Sequence, residues 1–140
     1  MHHQETLTVP TRGRGMVNLT PELQRVVADS RVGLGLCTVF VRHTSASLLI
    51  QENADPAVQR DLENFFARLV PDGDRIFTHT AEGPDDMSSH VRGVLTSTSE
   101  VIPVTAGRLA LGTWQAIYLW EHRTRPHRRQ VVVHISGDPL

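Results

Sequence analysis

Short apolar runs that are broken every few residues constrain the fold of this chain more than any other feature. Residues 32–42 alternate between two faces rich in β-branched and aromatic side chains, and a second apolar run follows at residues 47–51. Runs of this length and composition predict β-strands, and the first is expected to be covered on both faces. Six more short strands are predicted at residues 4–9, 16–19, 100–104, 108–111, 115–122 and 130–136.

Two helices in the first half of the chain are predicted from the residues at their boundaries. Thr20 and Pro21 suit the N-cap and the first helical position of a helix over residues 21–30. Asp55 suits the cap of a second helix, which Pro71 ends. The apolar residues of this second helix recur at helical spacing: Val58, Leu62, Phe65, Phe66 and Leu69.

A third helix is predicted over residues 87–96, with Asp86 as the capping acid at its start. His90 is expected on or beside the inward face of this helix, and His79 in a brief extended piece over residues 75–80. The inward face is predicted to consist of four apolar residues: Met87, Val91, Val94 and Leu95.

The order of these elements predicts an α+β fold. Strands and helices do not alternate strictly, and many strands follow one another closely enough for antiparallel pairing. No glycine-rich nucleotide-binding motif follows a strand, so a doubly wound parallel sheet is not expected. A length of 140 residues suits a single domain over residues 1–140.

Cysteine content, hydropathy and charge limit the cellular location and the partner classes that we expect for this protein. The single cysteine, Cys37, cannot form a disulfide within the chain. The sequence contains no secretory leader and no apolar run of membrane-spanning length, so we expect a cytoplasmic protein that does not bind membranes. A formal net charge of −1 argues against nucleic acid as the main partner.

Lysine is absent from the sequence, and all 14 of its Lys and Arg positions are arginine. Arginine stays protonated in proteins and does not act as a nucleophile. The sequence therefore excludes a Schiff-base lysine, a pyridoxal-phosphate lysine and the lysine of a phosphate-binding P-loop.

Three of the 8 histidines are candidate metal ligands: His43, His79 and His90. Three neutral imidazoles suit a divalent transition metal and leave a fourth position open. Their spacing matches no compact zinc motif, so from the residues alone the commoner interpretation is three separate, hydrogen-bonded histidines. His43 is expected at the end of a strand, from which its side chain can enter a cleft.

Four acidic residues are candidates for binding a hard cation or for general-base catalysis: Glu52, Asp55, Asp85 and Asp86. Asp55 and Asp86 suit helix caps equally well, whereas Glu52 follows an apolar run before any helix begins. Ser47 follows a candidate histidine but lies in no Gly-x-Ser-x-Gly motif, so we expect it to hydrogen-bond a substrate rather than to act as a nucleophile.

Two turns near the C-terminus carry polar groups whose role stays open. Gln115 follows Trp114, which is expected to be a core or interface residue rather than a stacking platform. Residues 123–129 form a basic turn. Such a turn suits phosphate or RNA, a solvated hairpin tip, or the acidic residues of a neighbouring subunit.

Four motifs that together cover nearly the whole chain resemble those of the YjbQ family. They begin at His43 (His-Thr-Ser-Ala-Ser-Leu), Glu52 (Glu-Asn-x-Asp-Pro), Glu82 (Glu-Gly-x-Asp-Asp-Met-x-Ser-His) and Gly107 (Gly-Arg-Leu-x-Leu-Gly-Thr-Trp-Gln). The resemblance implies an α+β fold with an antiparallel β-sandwich-like core and about three helices, assembled as a homotrimer. It also implies a metal site, with zinc as the first choice, at three ligands: His43, His79 and His90.

Members of the YjbQ family are described as secondary thiamine-phosphate synthases. For this chain the resemblance implies an enzyme that joins a pyrimidine methyl pyrophosphate to a thiazole phosphate and releases pyrophosphate. Mg²⁺ is a second candidate ion because the substrate carries pyrophosphate. In this interpretation Glu52 and Asp86 are catalytic, and three residues bind the substrate: Ser47, Asn53 and Gln115.

Three alternative functions stay open. The same groups suit a metal-dependent enzyme that acts on another phosphorylated metabolite. They also suit a non-catalytic homotrimer that binds a metal and a small anion. RNA binding through the basic turn is a third and weaker alternative.

Overall fold

Eight strands in two antiparallel sheets form the framework of the computed structural model, which describes all residues from Met1 to Leu140. The strands are β1 (His2–Pro10), β2 (Gly15–Asn18), β3 (Val32–Val41), β4 (Ala46–Glu52), β5 (Ser99–Thr105), β6 (Arg108–Leu109), β7 (Gln115–Glu121) and β8 (Arg128–Pro139). One sheet has the order β1-β8-β3-β5-β6 and the other the order β2-β7-β4. All the predicted strands are present, with their ends shifted by a few residues.

Strand pairing joins distant parts of the chain. β8 lies between β1 and β3, and β7 lies between β2 and β4. Every pair is antiparallel, as predicted. Only β5 and β6 are neighbours both in the sequence and in a sheet. The two sheets and the α1 helix described next enclose one cluster of 18 buried apolar residues.

Three helices complete the α+β fold: α1 (Thr20–Ser30), α2 (Pro56–Leu69) and α3 (Asp86–Leu95). Asp55 caps α2 as predicted, because its side chain accepts a hydrogen bond from the N–H of Ala57. Thr20 does not cap α1: it lies in the first turn, where its hydroxyl accepts from the N–H of Ile117 at 3.0 Å. None of the three helices combines the length and the hydrophobicity needed to cross a bilayer.

β3 is covered on one face only, contrary to the prediction. Cys37 and Val39 are fully buried, whereas Leu36 and Phe40 on the opposite face are 47% and 46% exposed. Burial raises the pKa of the Cys37 thiol to about 12, so this cysteine stays protonated. The alternation of a strand identifies its two faces, but a distant part of the chain decides whether a second layer covers each face.

α2 lies on the surface, and none of its residues is buried. Phe66 packs edge-on against Trp120 of β7, with ring centroids 4.9 Å apart. Glu63 anchors the helix, since it accepts from Nε1 of Trp120 at 2.8 Å and from Arg92 at 2.7 Å. Phe65, at the centre of the predicted apolar stripe, stays exposed.

α3 turns a polar face inward, which is opposite to the prediction. Its buried residues are all polar: Asp86, Ser88, Ser89 and Arg92. Val94 and Leu95, which were predicted to face the core, are 83% and 53% exposed. The guanidinium of Arg92 pairs with Glu63 instead. Hydrogen bonds and ion pairs therefore hold α3 against the sheet, because its buried polar groups find partners there.

Candidate functional site

Three side chains converge at the start of α3: His79, Asp86 and His90. Nε2 of His79 lies 2.7 Å from Oδ2 of Asp86, and Nε2 of His90 lies 3.2 Å from the same oxygen. Asp86 and His90 are four residues apart and so share one face of the helix. His79 comes from the loop before α3, where residues 75–80, predicted as a brief extended piece, contain a turn and pair with neither sheet. All three possible ligand atoms lie within 4.8 Å of one another.

A backbone carbonyl determines which nitrogen of His90 carries the proton. Nδ1 of His90 lies 3.0 Å from the carbonyl oxygen of Thr44, which can only accept, so Nδ1 is the protonated nitrogen of the neutral ring. Nε2 then directs a lone pair at a carboxylate oxygen of Asp86, which also only accepts. Two facing lone pairs at 3.2 Å repel one another unless a proton or a metal ion lies between them. Metal-binding histidines commonly donate their other N–H in this way.

An arginine orients Asp86 from the other side. Oδ1 of Asp86 accepts from a terminal nitrogen of Arg123 at 2.9 Å. Burial alone would raise the pKa of Asp86, but the hydrogen bond from His79 and nearby positive charge, that of Arg123 included, outweigh it and hold the pKa below its usual value. Asp86 is therefore ionised, as a metal ligand has to be.

Asp85 occupies the N-cap position that was predicted for Asp86, but its side chain makes no capping bond. Its Oδ2 accepts from the N–H of Thr124 at 2.8 Å and from Nε of Arg123 at 3.0 Å. Burial opposes ionisation, yet these hydrogen bonds and the charge of Arg123 lower the pKa of Asp85 far below its usual value. Asp85 thus joins the start of α3 to the basic turn.

His43 lies beside this cluster rather than in it. Its Nε2 accepts from the N–H of Gln130 at 2.8 Å, so Nδ1 carries the proton of the neutral ring. Burial lowers the pKa of His43, and the charge of Arg129 lowers it further. A neutral ring in this arrangement has no free lone pair for a metal. Asp86 therefore takes the place that the sequence had suggested for His43, which offers an N–H donor instead.

Two clefts of similar volume lie near the cluster, which also borders a smaller one, of about 270 Å³, through His79. One, of about 470 Å³, is lined by His43 and His90. The rest of its lining carries no charge: Thr44, Ala46, Gly93, Val94, Thr96 and Thr98. We call it the neutral cleft. The other, of about 480 Å³, is lined by Ala81, Glu82, Gly83, Arg123, Arg125 and His127. We call it the charged cleft.

Glu52, Asn53 and Gln115 lie away from the cluster. Ala46 begins β4 beside the histidines, whereas Glu52 ends β4 and pairs with Gln115 of β7. Along the 7 residues of β4 the two ends are about 20 Å apart, at about 3.3 Å per residue. Within one chain, these predicted substrate-binding and catalytic residues therefore do not lie at the site of His90.

The polar side chains at the far end of β4 stabilise local turns. Glu52 accepts from the N–H of Asp55 at 3.3 Å, and Gln115 accepts from the N–H of Gly112 at 2.7 Å. Trp114 is 64% exposed, so it is not a core residue. Its role at an interface between subunits stays a prediction.

Ser47 is fully buried and does not reach either cleft, contrary to the expectation that it contacts substrate. Its Oγ lies 2.8 Å from Nε2 of His122, within a buried polar network. In the same network Glu121 pairs with Arg129, and Arg129 donates to Oγ of Ser45 at 3.0 Å. The network supports the segment that carries Thr44, because Ser45 is the next residue.

Sequence reasoning missed two groups that build the site. Arg123 appears in the sequence as one of several arginines in a basic turn, and the carbonyl of Thr44 has no side-chain signal at all. The Asp85-Asp86 pair was a usable hint, because two adjacent carboxylates that become buried require a cation nearby.

Comparison with known proteins places the chain among close relatives. The family described as UPF0047 protein YjbQ-like matches residues 5–138. UPF0047 protein sll1880 of Synechocystis sp. is 59% identical over 136 residues, which cover 97% of this chain and 92% of that protein. UPF0047 protein YjbQ of Escherichia coli O157:H7 is 43% identical over 139 residues, which cover 99% of this chain and 100% of that protein.

Solved structures share the fold over nearly its full length. An uncharacterized conserved YjbQ/UPF0047 protein from Clostridium acetobutylicum superposes with a TM-score of 0.84 at 32% identity, covering 96% of this chain and 99% of that one. A conserved hypothetical protein from Thermus thermophilus gives a TM-score of 0.84 at 34% identity, covering 94% of this chain and 99% of that one.

Proposed function

The chain belongs to the family of YjbQ-like UPF0047 proteins, and from that premise we propose that it is a metal-dependent enzyme acting on a phosphorylated small molecule. The observation that supports this most directly is the convergence of His79 and His90 on one oxygen of Asp86. Two imidazole nitrogens and a carboxylate oxygen form a ligand set that suits zinc. The side chain of His79 is 51% exposed, which leaves the cluster open to a substrate.

The reaction that we assign is the formation of thiamine phosphate. The bond between the methylene carbon of the pyrimidine and the pyrophosphate oxygen breaks, and pyrophosphate leaves with the electron pair. The ring nitrogen of the thiazole phosphate then uses its lone pair to form the new C–N bond. No covalent nucleophile takes part, which suits a chain without lysine and without a nucleophile-elbow serine.

The residues of the cluster have separate tasks in this reaction. His79, Asp86 and His90 would hold the ion. A bound zinc ion supplies positive charge beside the leaving pyrophosphate, and Mg²⁺ carried by the substrate is the alternative source of that charge. Arg123 keeps Asp86 ionised and oriented. His43 donates its Nδ1–H to an acceptor on the substrate in the neutral cleft.

Glu52, Asn53 and Gln115 enter this proposal through a homotrimer. Within one chain they lie too far from His90 to share a substrate with it. A neighbouring copy would therefore supply them, Glu52 as a base and the two amides as groups that orient the substrate. The exposed apolar face of β3, which includes Leu36, is the surface that we assign to the contact between copies.

Metal analysis and turnover of the untagged protein test the proposal together. We expect about one zinc or similar ion per chain. We also expect pyrophosphate release that requires both substrates. His90→Ala should lose metal and activity, whereas His3→Ala, a control at a partly exposed histidine of β1 on the opposite face of the sheet from Leu36, should keep both. Activity that survives both His90→Ala and treatment with a chelator would refute the mechanism.

The same preparation separates the enzyme from its alternatives. Saturable binding of a metal and a small anion without any product would favour the non-catalytic homotrimer. Pyrophosphate or phosphate release from a panel of other phosphorylated metabolites, but not from the pyrimidine substrate, would favour a different metal-dependent reaction at the same cluster.

A further inference from the structure

We infer that the charged cleft is a phosphate-binding site whose affinity depends on a metal ion at the His79, Asp86 and His90 cluster. The inference rests on the proposed function, because it assigns the phosphate end of the substrate to this cleft and the uncharged end to the neutral cleft. Three observations support it: the donors that the charged cleft leaves free, the balance of charge around it, and the contrast with the neutral cleft.

The charged cleft contains hydrogen-bond donors that the protein itself does not use. Arg125 is exposed and forms no ion pair with a carboxylate, unlike Arg123 and Arg129 nearby. The N–H groups of Ala81 and Glu82 donate to no acceptor within the protein. A guanidinium and free peptide N–H groups are the donors that phosphate oxygens accept from in proteins.

The charges around the cleft explain why the site needs a metal. Arg123 is already occupied, because it donates to Asp85, to Asp86 and to the carbonyl of Glu82. Asp85 and Asp86 thus offset the charge of Arg123, and the carboxylate of Glu82 in the lining offsets that of Arg125. An anion therefore meets little uncompensated positive charge in the chain alone. A divalent ion on Asp86 would add two positive charges.

The neutral cleft differs in the chemistry that it offers. Its lining includes no arginine and no carboxylate, and it combines the N–H of His43 with threonine hydroxyls and the apolar side chain of Val94. Such a lining suits an uncharged heteroaromatic ring. His90 belongs to this cleft, and Arg123, which holds Asp86, belongs to the charged cleft. The cluster thus lines the neutral cleft directly through His90 and meets the charged cleft through the bond between Asp86 and Arg123.

Thermodynamic linkage makes the inference measurable without turnover. If the metal increases the affinity for an anion, the anion increases the affinity for the metal by the same factor. Isothermal titration calorimetry of the full chain with inorganic pyrophosphate, in zinc-loaded and zinc-free protein, measures that factor. We expect the zinc-loaded protein to bind pyrophosphate at least about tenfold more tightly.

A pair of arginine variants identifies the cleft. Arg125→Ala should weaken pyrophosphate binding to the zinc-loaded protein by about tenfold, because it removes a charge-assisted donor. Arg128→Ala removes the same charge from an exposed residue outside the cleft and should change the affinity by less than about twofold. Arg125→Gln serves as a second variant, and melting temperatures establish that each variant is folded.

Each outcome decides a separate question. Equal losses in Arg125→Ala and Arg128→Ala, or equal affinity with and without zinc, would overturn the inference. If pyrophosphate binding depends on zinc and on Arg125 but the protein forms no product, the inference about the charged cleft stands and the proposed enzymatic function is refuted. If the enzyme is active and Arg125→Ala changes neither its KM nor its pyrophosphate affinity, the proposed function stands and the inference about the charged cleft is refuted.

Discussion

The Nδ1–H of His90 donates to the carbonyl oxygen of Thr44 at 3.0 Å. This bond joins α3 to the segment between β3 and β4, and it leaves Nε2 of His90 as the nitrogen that faces Asp86. Loss of a group that orients a metal-binding histidine typically weakens metal affinity by about ten- to a hundredfold. The Thr44 carbonyl is therefore part of the candidate site through its bond to His90.

An added methyl group at Gly93 tests this bond. A Cβ at Gly93 would lie 3.2 Å from the Thr44 carbonyl oxygen, so Thr44 has to shift and the acceptor of His90 shifts with it. We expect Gly93→Ala to weaken zinc affinity by about tenfold, measured by competition with a chelator. The melting temperature should not fall, because alanine favours a helix more than glycine does.

Leu95→Ala, at an exposed position on the same helix, is the control for Gly93→Ala and should leave zinc affinity unchanged. If Gly93→Ala binds zinc as tightly as the wild type while folding normally, the Thr44 carbonyl does not orient His90.

Acid should destabilise the fold through His122. Its ring is fully buried, and burial together with the charges of Arg92, Arg14 and Arg129 lowers its pKa from 6.5 to about 3. The unfolded chain gains a proton on this residue as the pH falls through 6.5, whereas the folded chain stays unprotonated until about pH 3. Between these values the unfolded state binds more protons than the folded state. Lowering the pH therefore lowers the free energy of unfolding, by at most about 1.4 kcal/mol per pH unit.

Urea denaturation of the wild type and of His122→Gln, from about pH 7 to about pH 5, measures this contribution. Glutamine retains a partner for Ser47, whose Oγ lies 2.8 Å from Nε2 of His122. The variant should lose less stability than the wild type over this range. Identical pH dependence in the two proteins would show that His122 is not the group responsible.

The ion pair between Arg92 and Glu63 should couple α3 to α2. Arg92 is buried and donates to Glu63 at 2.7 Å, so removing Glu63 leaves a buried guanidinium without its nearest counter-charge, and removing Arg92 leaves Glu63 with only the longer contact to Arg14 at 4.0 Å. We expect Arg92→Met alone to cost about 3 kcal/mol of unfolding free energy. The double variant with Glu63→Gln should cost less than the sum of the two single variants by at least about 1 kcal/mol.

Denaturation midpoints of the single and double variants complete this cycle. Arg60→Met, at an exposed position on α2, is the control and should change stability by less than about 0.5 kcal/mol. Additive effects of Arg92→Met and Glu63→Gln would mean that the two residues act independently.

The exposed face of β3 should hold the proposed homotrimer together. Leu34, Leu36 and Phe40 on this face, with Val101 of the neighbouring β5, form an apolar surface. Leu36→Glu places a charge in its middle, and we expect light scattering to show a mass near that of one chain instead of three. Leu69→Glu, at an exposed apolar position on α2, should leave the mass unchanged. The reverse result would move the contact from β3 to α2.

Local patterns were sufficient for the elements of the fold. Alternating runs and short apolar runs located every strand, and the Asp55-Pro56 pair located the start of α2 within the chain. A strand period and a helix cap are set by residues close together in sequence, which is why they could be predicted. Two residues of the cluster, His79 and His90, were also among the candidate metal ligands that residue type suggested.

The sequence by itself thus determined the strands, the helices and the supply of histidines and acids for a site. Only the tertiary structure decided that α3 buries its polar face and that Asp86 rather than His43 completes the cluster. It also decided that Gln115 lies at the far end of the sheet. The physical reason is that burying a charged or polar group is favourable only when distant partners meet it. For α3 those partners are Glu63 and Arg123, far away in sequence.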